Sequence, residues 1–318
     1  MKPLITIVFL FITAACFAQR QNVYFLKNNG MYVQQRDSAD YICVISEPDS
    51  GATLYNVFEF YPNGKPKLLS KSTTIESETL EGSCIRYFAN GKKSGVSNYK
   101  AGKRVGIEYL YYPNGKIYTT KKHPDATVIG VKNYEYILSE YDSLGNALVA
   151  DSNGYYKGYD EKFKNVVEEG NIKNGRHDGQ WKGMDEGWHI RFIETYDNGK
   201  FIGGISIGEH NDTVKYKARD VEPQYKGGPK AFNNFLANNI QYPDYERANN
   251  IQGTVKLSFI VEKDGKVSDV KVIKNVSYNI DKEALRVLSS SRNWIPGYEY
   301  GRPVRVSFTI STNFSLTN

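Results

Sequence analysis

Cysteine, histidine, proline and long apolar runs are all scarce in this chain of 318 residues, and each scarcity removes a class of function. Four scattered histidines and three cysteines give no ligand spacing for a metal, so neither a metal nor another cofactor is expected. Eleven prolines do not make the long proline-rich rod that would span a compartment. Blocks of one charge are missing too. The 41 Lys and Arg are interspersed with 35 Asp and Glu, leaving a formal charge of +6. A nucleic-acid surface concentrates basic residues on one face, whereas this pattern is a solvated mixed surface, so no nucleic-acid partner is expected. Paired acid and base carboxylates, a thiol with a histidine, and a metal constellation are likewise missing, which argues against an enzyme.

The apolar run that does occur lies at the start. Lys2 precedes Leu4 to Ala18, which ends in Cys16-Phe17-Ala18 before Gln19. A charged start, an apolar middle and small residues at a cut are the pattern of a secretory signal, here residues 1–18. As a helix its 15 residues reach only about 23 Å, against a hydrocarbon core of roughly 30 Å, so cleavage after Ala18 is favoured over a retained anchor. Thr13-Ala14-Ala15-Cys16 offers a second route, lipidation of Cys16, with Thr13 where such boxes carry Leu. Both routes place the mature chain in the periplasm or on the envelope, the second with membrane association. Cys43 and Cys84 then remain, either as a disulfide or as two buried thiols.

What the chain has in quantity is tyrosine, 25 residues, and glycine, 28. After a strand region at 19–54, residues 55–207 repeat a short phrase. Phe60-Tyr61-Pro62-Asn63-Gly64-Lys65 is echoed at Tyr87-Phe88-Ala89-Asn90-Gly91-Lys92, at Tyr111-Tyr112-Pro113-Asn114-Gly115-Lys116 and at Tyr196-Asp197-Asn198-Gly199-Lys200. Between about 120 and 165 the phrase dissolves. Asn-Gly tolerates positive φ at both central positions, so these turns are read as type I′ hairpins. Aromatics before each turn stack across strands, which predicts an all-β repeat of antiparallel hairpins. The segment resembles bacterial MORN-type repeats, and Gly175-Arg176-His177-Asp178-Gly179-Gln180-Trp181 fits especially well. That resemblance implies scaffolding, or contact with partners or lipids, without fixed chemistry. Gly204-Ile205-Ser206-Ile207-Gly208 matches a nucleophile elbow in letters, but an elbow needs an apolar helix next. Glu209-His210-Asn211-Asp212 follows instead, so the glycines are read as flanking a strand.

Residues 208–225 lose the repeat and read as a linker. From 226 to 318 helix and strand signals alternate. Pro229 to Ile240 sets Phe232, Phe235 and Leu236 on one helical face. Val255, Leu257, Phe259 and Val261 alternate with polar residues, Asp264-Gly265 turns the chain, and Val267 to Ile273 returns. Asp281 is read as the N-cap of a second helix. Val304, Val306, Phe308 and Ile310 then face inward while Arg305, Ser307, Thr309 and Ser311 face outward. The expected product is an α+β two-layer domain, a three-stranded antiparallel sheet with two helices.

The wording of this part resembles the TonB C-terminal domain family. It is carried by Gln241-Tyr242-Pro243, by Ile251-Gln252-Gly253-Thr254-Val255, by Asp264-Gly265-Lys266-Val267, by Asp281 to Arg286, and by Trp294-Ile295-Pro296-Gly297 with Gly301-Arg302-Pro303-Val304. The resemblance implies a non-enzymatic domain that binds an extended peptide of an outer-membrane receptor by strand addition, in TonB-dependent transport. By likeness the receiving strand is Val304 to Phe314, with Arg305, Ser307, Thr309, Ser311 and Asn313 along it, and Gln241 as a further contact. Tyr242, Pro243 and Trp294 are read as holding the fold. The partner is a TonB-dependent receptor or another envelope protein, and a homodimer is a further option. With no retained anchor and no rod, a periplasmic scaffold or adaptor without energy coupling is the alternative.

Overall fold

Aromatic residues that alternate with polar ones form extended strands, because one face of each can be buried while the other stays wet. The computed structural model describes residues 20–76, 79–124, 135–292 and 294–316, so the signal and lipidation readings at 1–18 lie outside the described residues. The chain divides into two compact units, 1–156 with 172–176, and 157–171 with 177–318.

The first unit is antiparallel sheet. Its strands are β1 (Gln21–Leu26), β2 (Tyr41–Ser46), β3 (Tyr55–Phe60), β4 (Pro66–Ser72), β5 (Leu80–Tyr87), β6 (Lys93–Lys100), β7 (Lys103–Tyr111), β8 (Ile117–His123), β9 (Tyr136–Tyr141) and β10 (Ala147–Ala150). Each pairs with its neighbour in sequence. Cys43 and Cys84 are buried free thiols, the first packed with Leu26, Ile45, Val57 and Ile75.

Three of the four copies of the phrase make a different turn from the one their Asn-Gly suggests, while Asn198-Gly199 makes the expected type I′ turn, with positive φ at both positions between the paired Asp197 and Lys200. In 61–65, 88–92 and 112–116 the first N–H donates to the last carbonyl, and the glycine N–H donates back to the first carbonyl. Only the glycines, Gly64, Gly91 and Gly115, have positive φ. This is a type I turn closed by a left-handed glycine and a bulge, not type I′. The reason is the asparagine side chain. Asn63, Asn90 and Asn114 each accept through Oδ1 from the lysine N–H two residues on, at 3.0, 2.9 and 2.9 Å, which keeps the Asn backbone right-handed. Type I′ geometry does occur at Ala101-Gly102, Asp151-Ser152 and Asn174-Gly175, where both positions have positive φ, although Asp151-Ser152 holds no glycine at all. Successive phrase turns are also tied to each other. Asn90 Nδ2 and Lys92 Nζ donate to the carbonyls of Pro113 and Asn114, and Asn114 and Lys116 repeat this toward Ser143 and Leu144. Tyr61 and Tyr112 donate their hydroxyls to the carbonyls of Tyr87 and Tyr141. The tyrosine, asparagine, glycine and lysine of the phrase therefore each have a bond to make. Hairpin order survives where the phrase fades, since Asp142 caps its own turn as asparagine does elsewhere. Gly115 has φ +92° and a Cβ there would meet Lys92 Cδ at 3.4 Å. Gly115→Ala should cost about 1–2 kcal/mol in urea denaturation, the strain of a left-handed residue with a side chain.

In the second unit the hairpins continue as β13 (Arg176–Asp185), β14 (Ile190–Asp197), β15 (Lys200–Ile207) and β16 (Thr213–Tyr216), after β11 (Asn153–Tyr159) and β12 (Val166–Lys173), which fall at the division. Residues 208–225, read as a linker, carry β16 and two short strands, β17 (Asp220–Val221) and β18 (Gln224–Tyr225). The α+β part follows as α1 (Gly228–Asn239), α2 (Asp244–Ala248), β19 (Gly253–Val261), β20 (Val267–Lys274), α3 (Tyr278–Ser290), β21 (Trp294–Ile295), β22 (Gly297–Glu299), β23 (Arg302–Val304) and β24 (Val306–Phe314). The main sheet has the order β20-β19-β24, beside the small groupings β17-β22-β23 and β18-β21. This is the expected α+β layer arrangement, with the short α2 in addition. Its core joins Val255, Leu257, Phe259 and Val261 of β19 to Ile280, Ala284 and Leu288 of α3, with Phe232 and Trp294. The N-cap of α3 is Ser277, whose hydroxyl accepts from the Ile280 N–H, and not Asp281. Asp281 sits one turn in and accepts from the Val276 N–H at 3.0 Å, so it secures the entry to the helix.

Candidate functional site

An antiparallel sheet of three strands has two edges, and here they differ. β20 is irregular against β19, with register shifts on either side of Leu257 and Ser258. It carries Asp269 at φ +51°, an Asp269–Lys271 ion pair and Lys274. Bulges and charge are the usual protection of an edge against pairing. β24 has none of this: it runs nine residues against β19 without a shift, from Val261↔Val306 to Gly253↔Phe314. Among the described residues β19 is its neighbour on one side and no strand pairs with the other. Val306, Phe308, Ile310, Thr312 and Phe314 turn toward the core, while Ser307, Thr309, Ser311 and Asn313 form one exposed row of short neutral side chains. Asn313 is met across the strands by Thr254, at 3.2 Å.

The remaining expected contacts are set off from that row. Arg305 precedes the strand and donates to both carboxylate oxygens of Glu262, at 3.0 and 3.1 Å. Hydrogen bonds from Ser268 and then Arg305 hold the Glu262 carboxyl below its ordinary range. Gln241 lies in the connection between α1 and α2, exposed, with its backbone N–H donating to Glu283 of α3 at 2.7 Å. The next residue, Tyr242, packs edge-on to Phe314, the last residue of β24, and donates its hydroxyl to the Ile251 carbonyl. Gln241 is thus near one end of the strand rather than along it. Trp294 is core, 7% exposed, surrounded by Tyr225, Phe232, Phe259 and Phe308.

Residues 238–316 match the family described as Gram-negative bacterial TonB protein C-terminal. No curated protein matches the chain. No solved structure matches it either. The matched span contains the β20-β19-β24 sheet and α3, so this part of the chain is similar to the TonB C-terminal domain and is called TonB-type below. Among the described residues, no helix is long and apolar enough to cross a membrane.

Away from the TonB-type domain, sequence reasoning missed a set of buried carboxylates: Glu59, Glu108, Glu140 and Glu194 are all nearly inaccessible. The available signal was their place, directly before an aromatic in Glu59-Phe60, Glu108-Tyr109 and Glu140-Tyr141, and two residues before Tyr196 for Glu194. Glu108 accepts from Arg86 at 2.6 Å and lies 3.5 Å from Arg104, with His123 Nε2 at 2.8 Å. Burial pushes the Glu108 carboxyl up, but the His123 and arginine contacts overcome this and bring it down to about 2. Glu108, His123 and Glu135 place ligand atoms within 4.8 Å of one another, as a metal site would. Arg86, Arg104 and Lys121 already face those carboxylates, however, and three cations there oppose a divalent ion. Ser206, the central letter of the elbow-like motif, is buried in mid-strand and accepts from Arg302 Nε at 3.2 Å. It is an anchor point, not a nucleophile.

Proposed function

We propose that this is an exported envelope protein that takes part in TonB-dependent transmembrane transport by accepting an extended segment of a partner as a fourth strand beside β24. The observation that carries this is the contrast of edges, β20 bulged and charged, β24 regular and lined by short neutral residues. An added strand gains main-chain hydrogen bonds along the edge and lays its side chains beside Ser307, Thr309, Ser311 and Asn313, with Arg305 and Gln241 beyond the two ends. The partner class is a TonB-dependent outer-membrane receptor or another envelope protein. The chain is divided as signal 1–18, strand region 19–54, MORN-type hairpins 55–207, a connecting stretch 208–225 and the TonB-type domain 226–318.

A second reading, a MORN-repeat scaffold or adaptor without energy coupling, is favoured by the ties between successive turns, since Asn90, Lys92, Asn114 and Lys116 spend their donors on stiffening the repeat. Peptide binding decides between them in part. A fluorescent receptor-plug peptide should bind the full chain, and Thr309→Pro should weaken it roughly two- to tenfold, the loss of about one ladder hydrogen bond. Lys271→Pro, on the protected edge, should leave affinity unchanged. Equal binding by a folded Thr309→Pro variant would remove the strand-addition reading and leave the scaffold.

A further inference from the structure

The β22–β23 hairpin does more than close the TonB-type domain. Its tip, Tyr300-Gly301, has φ values of +50° and +75°, a type I′ turn that drives Tyr300 into the end of the hairpin sheet. There Tyr300 is 3% exposed, stacked on Phe192 at 5.5 Å and edge-on to Tyr216 at 5.9 Å, in a cluster with Ile190. A Cβ on Gly301 would lie 2.9 Å from Tyr216 Cβ, so the seat is close-fitting. The Tyr300 N–H donates to the Arg219 carbonyl at 2.8 Å and its hydroxyl to Asp185 at 3.2 Å. Arg302 adds bonds to Ser206, to the Asp212 carbonyl and to its carboxylate.

One side of this seat is a ladder of two rungs between β17 and β22, Val221↔Tyr298 and Asp220↔Glu299. The second rung sets carboxylates opposite each other, and like charges directly across a sheet repel. The nearby cations are committed elsewhere. Arg219 is held by Glu194 through two nitrogens, and Arg302, which lies across β22–β23 from Glu299, is held by Asp212. Asp185 approaches from the end of β13 and adds another negative charge. The cleft beside Glu299 is also lined by His189, Glu209, His210 and, from the β19–β20 turn, Lys263. Lys263 forms no ion pair among the described residues, and His189 faces Glu209 at 3.9 Å. Ionised together, Asp220 and Glu299 have no ion-pair partner of their own among the described residues, and the attraction of Arg219 offsets their repulsion only in part. Sharing one proton, they form a hydrogen bond across the ladder.

We propose that Asp220 and Glu299 are a proton-sensitive latch that sets how firmly the β22–β23 hairpin stays seated on the last strands of the repeat. Burial, then the Asp220 hydrogen bond and charge, push the Glu299 carboxyl up to about 7 from its ordinary 4.5. Because the seated state favours the protonated carboxyl, its added stability is full below pH 4.5 and is lost as pH rises through about 7. An alkaline shift therefore loosens the hairpin and an acid shift secures it.

The test is hydrogen exchange by mass spectrometry on the full chain, at pH 5.5 and pH 8, corrected for the intrinsic pH dependence of exchange. Amides of 214–221 and 297–304 should open about tenfold more readily at pH 8, while the β19 amides hold constant. Glu299→Gln, which keeps a hydrogen-bonding group and removes the titration, should abolish the difference, and Asp220→Asn is the second variant should the first misfold. Equal opening at the two pH values in the wild-type chain, or the same pH difference persisting in a folded variant, would overturn the latch.

Discussion

Replacing Trp294 by alanine should unfold the TonB-type domain or bring it close to unfolding. The indole is 7% exposed and touches rings from four separate elements: Tyr225 at 5.6 Å, Phe232 at 5.2 Å, Phe259 at 5.1 Å and Phe308 at 6.0 Å. Its Nε1–H donates to Ser291 Oγ at 3.0 Å, so the one polar atom of the ring is satisfied inside the core. Two of the contacts are to strands of the main sheet, β19 and β24, and the others are to β18 and α1. No neighbour can move into the space without leaving its own partner. Truncation of such a ring costs about 3–5 kcal/mol, a large share of the roughly 5–15 kcal/mol that holds a domain folded. The check is urea denaturation followed by near-UV circular dichroism: the midpoint for the C-terminal transition should fall sharply, and Trp294→Phe should recover part of the loss. A loss under about 1 kcal/mol would mean that the core closes over the gap and that Trp294 is not central to it.

The burial of Trp294 was legible because its neighbours announce themselves by period. Val255, Leu257, Phe259 and Val261 alternate in sequence and are all buried in the structure. Ser307, Thr309, Ser311 and Asn313 alternate in the same way and form the exposed row. Period gives the face of a strand, however, and not its neighbours. That β24 lies at an edge depends on the order β20-β19-β24, decided by pairing between residues some fifty positions apart, for which no local signal exists. Asn-Gly misled at Asn63, Asn90 and Asn114, though not at Asn198, for a related reason. Glycine allows either turn, and the choice was made by where the asparagine side chain bonds, to the lysine N–H. Glu194 was hidden in a different way. A glutamate between aromatics reads as solvent-facing, and the residue that makes its burial tolerable, Arg219, lies 25 positions later in a stretch that reads as linker.

That pair yields the other large effect. Glu194 is 1% exposed and accepts from Arg219 Nε and Nη2, from Tyr216 at 2.7 Å and from Tyr196 at 2.8 Å. The Arg219 guanidinium in turn lies over Phe192 and Tyr300, at 4.8 and 5.2 Å. Burial alone would raise the Glu194 carboxyl, but the bonds from Arg219 and Tyr216 hold it below its ordinary value of 4.5. Arg219→Met keeps much of the volume and removes the charge, leaving a buried carboxylate with two hydroxyls. The expected loss at pH 7 is about 3 kcal/mol, the low end for breaking a buried pair, because Arg219 itself is a third exposed. The pH dependence separates this from simple loss of packing. In the wild-type chain the pair stabilises above pH 4.5 and its contribution falls away as the carboxyl is protonated below that. In the variant the carboxyl is buried without its cation, its affinity for a proton rises, and stability should recover as pH drops toward 5. The two chains should therefore approach each other in thermal midpoint on acidification. Arg219→Met with Glu194→Gln should restore most of the loss at pH 7, since neither partner then remains charged. A variant whose deficit is the same at pH 5 and pH 8 would show that Arg219 acts through its stacking on Phe192 and Tyr300, with the buried ion pair contributing little.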